Sequence, residues 1–294
     1  MERISRTGCR YYSRRYIKRY KFRSYHKKVK RLLQIRLVMK AFKTITIETT
    51  DAIAVLKFNR PAQLNAMNRE MMDEIIEGIH WINAQPDYHV AVITGAGRAF
   101  MAGADIKEYG SQTPEEFDDF QEKGKELYNA IENADKPWIA GVNGFALGGG
   151  CEIALACDMI VASETAKMGL PEVFLSLVPG GGGTQRLIQK IGINRVKEML
   201  FLGGQYDANT LKDWGLINQV VSSENFLTEM MDFAGKLSRR PHKSVAQLKS
   251  LANMSLTSIP FEERINEEAL TVKQLYLDEE AQMAILKFIK KSKQ

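Results

Sequence analysis

Two glutamates stand in surroundings that ought to repel them. Glu152 sits in "LGGGCEIALACD", the only charge between three glycines and a run of Ile, Ala, Leu and Cys that reaches as far as Asp158. Glu172 sits in "KMGLPEVFLSLVPG", again among apolar residues, with Pro171 fixing the backbone just before it. An ionised carboxylate in such a setting costs several kcal/mol unless it is paired or neutralised. Two such acids brought together would titrate as a pair, one protonated and one ionised near neutrality, which is the equipment for general acid and base work. The competing reading is structural, with each acid held by an arginine such as Arg186 or Arg195. The glycines ahead of Glu152 carry two readings of their own. They leave backbone N–H groups unobstructed at a helix start, an anion or oxyanion site, or they let that helix pack closely on a strand. Neither "ALGGGCE" nor "VPGGGGTQRL" has the Gly-Lys-Ser/Thr ending of a phosphate cradle, and no G-x-G-x-x-G with a following acid marks a dinucleotide site.

The elements that must position these acids alternate along the chain. "KTITIE" and "AIAVLKFN" flank "TTD" as a two-strand hairpin. "NREMMDEIIEGIHWIN" places Met71, Met72, Ile75, Ile76, Ile79 and Ile82 at spacings of three and four, the core stripe of a helix. "VAVITG" reads as a buried strand, and Thr113, Pro114 and Glu116 form a capping box that launches a helix to about Glu132. "KPWIAGVNGFA" reads as the next strand, the helix carrying Glu152 follows, and "MIVASETAKMG" reads as a further strand. This alternation implies an α/β protein with parallel pairing through helical crossovers. From about Gly183 the pattern turns helical, broken only by the apolar "INQVV". Near the end, Leu270, Val272, Leu275, Tyr276, Met283, Ile285, Leu286 and Ile289 make an apolar face suited to the body of the protein or to a neighbouring subunit.

Charge divides the 294-residue chain unevenly. Residues 1–38 hold 14 Lys or Arg, five Tyr and a single acid, Glu2, whereas the remainder holds 27 basic and 34 acidic residues. The body is therefore acidic despite a formal net charge of +6. The basic extension 1–38 is open to three readings: sequence upstream of a start at Met39, a transit peptide, or an arm for nucleic acid; each excludes it from the fold. Cys9, Cys151 and Cys157 form no C-x-x-C pair or disulfide framework, so a reducing compartment is expected. His26, His80, His89 and His242 show no ligand spacing, and no metal site is expected. No apolar run approaches the ~20 residues of a membrane span.

Taken in order and spacing, "FNRPAQLNAM", "ITGAGRAFMAGADIKE", "KPWIAGVNGFALGGGCEIALACDMIVA", "KMGLPEVFLSLVPGGGGTQRL" and "DANTLKDWGLINQVV" resemble the crotonase (enoyl-CoA hydratase/isomerase) superfamily over about residues 43–290. The resemblance implies a spiral of ββα units over residues 39–200, the crotonase (ClpP/crotonase-like) form of an α/β fold. It also implies a C-terminal helical region, 201–294, that completes a homotrimer or homohexamer. The substrate it implies is an acyl-CoA thioester, with coenzyme A part of the substrate and no separate cofactor, and no nucleic acid is expected at the core. The thioester oxygen would be held by the backbone N–H groups of Ala104 and Gly149. Glu152 and Glu172 match the family's catalytic pair, which adds water reversibly across a trans-2-enoyl-CoA to give a 3-hydroxyacyl-CoA. Glu152 would activate the water and Glu172 deliver the proton at C2, the two acting as a coupled pair. The positions matching the CoA-binding loops are Gln63, Leu64, Ala102, Asp105, Ile106, Lys107 and Gly148; Lys107 also reads as a solvated surface charge, and Asp105 and Asp158 as stabilisers of a loop or helix.

The chain departs from the family near its end. "DEEAQMAILKF" has Gln282 where many members have glycine, with Phe288 and Lys291 shifted, so no C-terminal CoA contact is carried over. Retention of both glutamates favours hydration; an enoyl-CoA isomerase or another CoA-thioester lyase is the alternative on the same fold. The non-enzymatic alternative is an RNA-binding or scaffold protein that uses the basic extension. The compartment expected is the cytoplasm, or the mitochondrial matrix if that extension is a transit peptide.

Overall fold

A computed structural model describes residues 42–292 together with the backbone of Arg36–Leu37. The rest of the basic extension, with its three readings and Cys9, lies outside the described residues. The strands are β1 (Arg36–Leu37), β2 (Ile45–Thr50), β3 (Ile53–Phe58), β4 (Val90–Gly95), β5 (Ala99–Met101), β6 (Trp138–Val142), β7 (Phe145–Leu147), β8 (Met159–Ser163), β9 (Lys167–Gly169), β10 (Tyr206–Asp207) and β11 (Gln219–Val221).

They form two sheets. The larger runs β1-β2-β3-β4-β6-β8-β11 and the smaller β10-β9-β7-β5. β2 and β3 pair antiparallel around Asp51, the expected hairpin, and from β3 to β11 the large sheet is parallel. Its parallel strands are buried on both faces, and β4 is buried at every position.

Two segments that read as single strands are each two. "KPWIAGVNGFA" divides into β6 and β7, and "MIVASETAKMG" into β8 and β9, each half in a different sheet. The break after β6 has a clear cause. The Asn143 side-chain amide bonds Gly97 and Ala99 carbonyls at 2.9 and 3.2 Å while its oxygen accepts from Gly95 N at 3.0 Å. Gly144 then passes so close to the Arg98 carbonyl that a Cβ would stand 2.1 Å from it. The chain bends at this polar knot and enters the second sheet, which is the repeated ββα plan. The sequence marks the bend only by the pair Asn143–Gly144, a turn signal set between two apolar runs that otherwise read as one strand.

The helix Arg69–Ala84 is capped by Asn68, whose side chain accepts from Met71 N, and its six-residue apolar stripe is buried as expected. The helix Pro114–Glu132 opens on the predicted capping box, with both reciprocal bonds formed. These helices cover one face of the large sheet, and the helix Phe226–Ser238 covers the other through Met230 and Ala234. Beyond residue 200, β10 and β11 complete the two sheets, and the helices His242–Met254, Phe261–Leu277 and Glu279–Lys291 follow. Lys249 ties the first of these to the core: its buried ammonium bonds Asp158 at 2.9 Å, and Asp158 also accepts from Trp138 N at 2.7 Å. Burial raises the Asp158 pKa, and the lysine opposes that shift.

Candidate active site

The smaller sheet delivers the glycine triplet to its place. β7 ends at Leu147, and Gly148 turns the chain into the helix Gly149–Ala156 with φ 51° and ψ −124°, a conformation foreign to L side chains. A Cβ on Gly150 would stand 2.1 Å from the Met101 carbonyl, so this helix lies directly on β5. The two readings of the glycines fall on different positions. Gly150 permits the close approach, while Gly149 N–H, at the helix start, finds no acceptor among the described residues.

Ala104 offers a second such donor. Met67 N bonds the Gly103 carbonyl at 2.8 Å and Asp105 N bonds the Met67 carbonyl at 2.8 Å, a bridge that turns the intervening Ala104 N–H the other way. It too has no acceptor among the described residues. Ala104 and Gly149 line one cavity of about 310 Å³, together with Glu152 and Glu172.

Glu152, on the first turn of its helix, is 3% exposed. Its Oε1 accepts from Gly181 N and Gly183 N, each at 2.8 Å. Those donors belong to the glycine run 180–183 at the start of the helix Gly183–Ile191, so the carboxylate occupies a helix N-terminus as an anion would. Burial pushes the Glu152 pKa up; the Gly183 and Gly181 N–H groups, the Arg186 charge and a hydrogen bond from the Tyr128 hydroxyl pull against it. Tyr128, itself buried, is driven to a higher pKa by burial and by the charge of Glu152.

Glu172 is held differently. It opens the short 3₁₀ turn Glu172–Leu175 after Pro171, and its Oε1 faces Gly148, where a Cβ would stand 3.1 Å away. Its Oε2 is buried and takes no hydrogen bond from the described residues. Burial, with the Glu152 charge adding to it, raises its pKa to about 7.

Among the described residues, no arginine is a direct partner of either acid. Arg186 forms a two-pronged pair with Glu132, Nε to Oε1 and Nη2 to Oε2 both at 2.6 Å, and donates to the Gly181 carbonyl. Arg195 donates to the Trp214 carbonyl at 3.2 Å and lies over that indole. In place of the structural alternative, backbone N–H donors meet one acid, and the buried oxygen of the other has no donor among the described residues.

Of the remaining positions singled out from the sequence, Ala102, Ile106 and Gly148 line the cavity. Asp105 pairs with Arg60 at 3.2 Å, its N–H bonds Met67 and its carbonyl accepts from Tyr109, so its polar groups shape the loop. Lys107 is exposed on the helix Ile106–Tyr109, and Gln63 and Leu64 stand at the turn Pro61–Gln63, where the Leu64 carbonyl accepts from Ala102 N at 3.1 Å. Sequence reasoning did not find Gly181, Gly183, Tyr128 or the Glu132–Arg186 pair. The run of four glycines at 180–183 was a visible signal: it is a cradle for an anion, and the anion is a side chain of the same protein. Among the described residues, no group of three or more His, Cys, Asp or Glu is arranged to hold a metal ion.

A spiral of two sheets with two acids and two unspent N–H groups around one cavity is the layout expected of a crotonase-type protein. The family description enoyl-CoA hydratase/isomerase matches residues 48–294, and the chain belongs to that family. It is 39% identical over 214 residues to a crotonyl-CoA hydratase of Syntrophomonas wolfei, covering 72% of this chain and 82% of that protein. It is 34% identical over 255 residues to a short-chain-enoyl-CoA hydratase of Clostridium acetobutylicum, covering 85% and 95% of the two chains. The crystal structure of an enoyl-CoA hydratase from Bacillus anthracis superposes with a TM-score of 0.81 at 29% identity, covering 85% of this chain and 97% of that one.

Proposed function

We propose that the protein is an enoyl-CoA hydratase that adds water reversibly to a short trans-2-enoyl-CoA. The observation that carries this reading is the single cavity in which Glu152 and Glu172 share a wall with the unspent N–H groups of Ala104 and Gly149. The two N–H groups receive the thioester oxygen as enolate charge develops, a preorganised donor of this kind contributing about 3 kcal/mol. Glu152, fixed through Oε1, takes a proton from water as the oxygen attacks C3. Glu172, with a pKa near 7 and therefore protonated in a substantial fraction of molecules at neutral pH, gives its proton to C2. Exchange of a proton between the carboxyls and solvent restores the pair, which titrates as one unit.

Ala102, Ile106 and Gly148 bind the acyl and pantetheine portion along the cavity, and the Gln63–Leu64 turn and Lys107 lie on the path of the CoA. Asp105 serves that path by shaping its loop. Coenzyme A enters as part of the substrate, and the chemistry described uses no separate cofactor. The functional unit is a homotrimer, or a pair of trimers. What supports this is the apolar surface that one chain leaves uncovered: Val272, Tyr276, Met283, Leu286 and Phe288 on the last two helices are all exposed. No helix of the described residues is long and apolar enough to cross a membrane, and Cys151 and Cys157 are buried free thiols. These suit the cytoplasm, or the mitochondrial matrix for a chain that carries a cleaved leader; the mass of the native N-terminus separates the two.

The test is incubation with crotonyl-CoA while following loss of the conjugated thioester absorbance. Turnover is expected, and no turnover with enoyl-CoA substrates of any chain length overturns the reading.

A further inference from the structure

We propose that Arg186 is a positioning residue for Glu152: its guanidinium, clamped by Glu132, fixes the glycine turn whose N–H groups hold the catalytic carboxylate. The inference rests on the role given to Glu152 above. Three contacts carry it. Nε and Nη2 form the two-pronged pair with Glu132, and Nη1 bonds the Gly181 carbonyl, while the Gly181 N–H bonds Glu152 Oε1 at 2.8 Å. The guanidinium also lies 5.4 Å from the centre of the Tyr128 ring, the residue whose hydroxyl reaches Glu152. One residue, Gly181, therefore links the arginine to the carboxylate, its carbonyl meeting one and its N–H the other, and the Tyr128 ring lies beside both.

Helix stability does not account for this ion pair. Glu132 is the last residue of the helix Pro114–Glu132, and Arg186 is the fourth residue of the helix Gly183–Ile191. An acid at a helix C-terminus and a base near an N-terminus each oppose the helix dipole. Two charges set against both dipoles, with the arginine side chain only 15% exposed, serve something other than the helices that carry them. What they hold in common is the turn 180–183. A fork of donors fits that task because it fixes orientation as well as distance, which a lysine cannot do.

The arrangement also sets charge at the site. The groups facing Glu152 are Tyr128 from the helix Pro114–Glu132, Tyr109 from Ile106–Tyr109, Glu172 from its 3₁₀ turn, Cys151 on its own helix and Arg186, with Glu132 behind the arginine. Arg186 supplies the positive charge among them and favours the ionised form of Glu152. Removing it makes Glu152 harder to ionise, so activity that needs the carboxylate ion is lost at a higher pH as the solution is acidified.

The experiment compares Arg186→Gln, Arg186→Lys and Glu132→Gln in two readouts: kcat/KM for crotonyl-CoA against pH, and titration of the Glu152 carboxyl by carbon-13 NMR, assigned with Glu152→Gln. Arg186→Gln is expected to lower kcat by about tenfold or more with KM within about threefold, and to move the acid limb and the Glu152 titration upward by about half a pH unit. Arg186→Lys is expected to keep the limb near its original place while losing part of kcat, because the charge stays and the fork goes. In a Glu152→Gln background, Arg186→Gln is expected to cost less than about twofold further, since there is no carboxylate left to position. An unshifted Glu152 titration in Arg186→Gln, or a full additive loss in that background, overturns the proposal. Absence of turnover by the unmodified enzyme would instead overturn the hydratase reading, and the NMR titration still decides the role of Arg186.

Discussion

The two carboxylates of the cavity are held in opposite ways. Glu152 sits inside a helix, with one oxygen pinned by two N–H groups and its surroundings closed. Glu172 opens a short turn, one of its oxygens has no hydrogen bond from the described residues, and the segment after it is apolar and open, with Phe174 72% and Val178 77% exposed. A base that must aim a water gains from being fixed. An acid that must part with its proton gains from having few donors, because each one favours the ion and lowers its pKa, as the backbone N–H of Glu172 does in opposing burial. The same desolvation thus yields different chemistry according to how many N–H groups meet the carboxylate.

The sharpest way to break this contrast is to neutralise each acid. Glu152→Gln and Glu172→Gln are each expected to lower kcat by about 10²–10⁴-fold with little change in acyl-CoA binding, read by steady-state rates and calorimetry. If either variant keeps near-normal rates, the two-carboxylate division is wrong for that residue. Less drastic is the pH profile. Hydration that uses protonated Glu172 should fall about tenfold per pH unit well above pH 7, and Glu172→Asp should shift that limb whereas Lys107→Ala should leave it in place.

Stability offers a third probe with the opposite sign from activity. Folding raises the Glu172 pKa from 4.5 to about 7, so the folded protein holds this proton more tightly than the unfolded chain does. Its contribution is favourable below the unfolded value and fades as pH rises through the folded one. Glu172→Gln, which cannot ionise, should therefore raise Tm by a few degrees at pH 8 relative to the parent and by less at pH 4, measured by calorimetry. A Tm difference independent of pH would show that Glu172 does not sit in a desolvated site. The smallest effect belongs to Tyr128→Phe. Loss of the hydroxyl beside Glu152 should slow turnover several-fold and move the acid limb upward, because that hydroxyl favours the ionised carboxylate.

Much of this was legible in residue order. The stripe from Met71 to Ile82 and the Thr113–Glu116 box define their helices from spacing and capping chemistry alone, and the two acids announce themselves by the apolar company they keep. The division of β6 from β7 was marked only by the turn pair Asn143–Gly144, and its cause was not legible, because it depends on Asn143 meeting carbonyls more than forty residues away. The partner of Glu152 was hidden for a related reason. Attention to side-chain cations points to Arg186, but the groups that meet the carboxylate are main-chain N–H donors, which every residue except proline possesses and no residue type advertises. A direct salt bridge to Arg186 was one alternative for Glu152; the contact runs instead through Gly181.

The late arrival of β10 and β11 bears on how the chain is made. Tyr206–Asp207 closes one edge of the smaller sheet and Gln219–Val221 lies parallel to β8 at one edge of the larger. Before these strands are made, β9 lacks its neighbour at 206–207 and β8 its neighbour at 219–221, and an unpaired edge invites pairing with other chains. Glu152 and Glu172 both precede these strands in the chain, and the larger sheet gains its last strand only at residues 219–221. Two edges of the sheets around the cavity are thus open to other chains in the interval between the two acids and the strands that flank them.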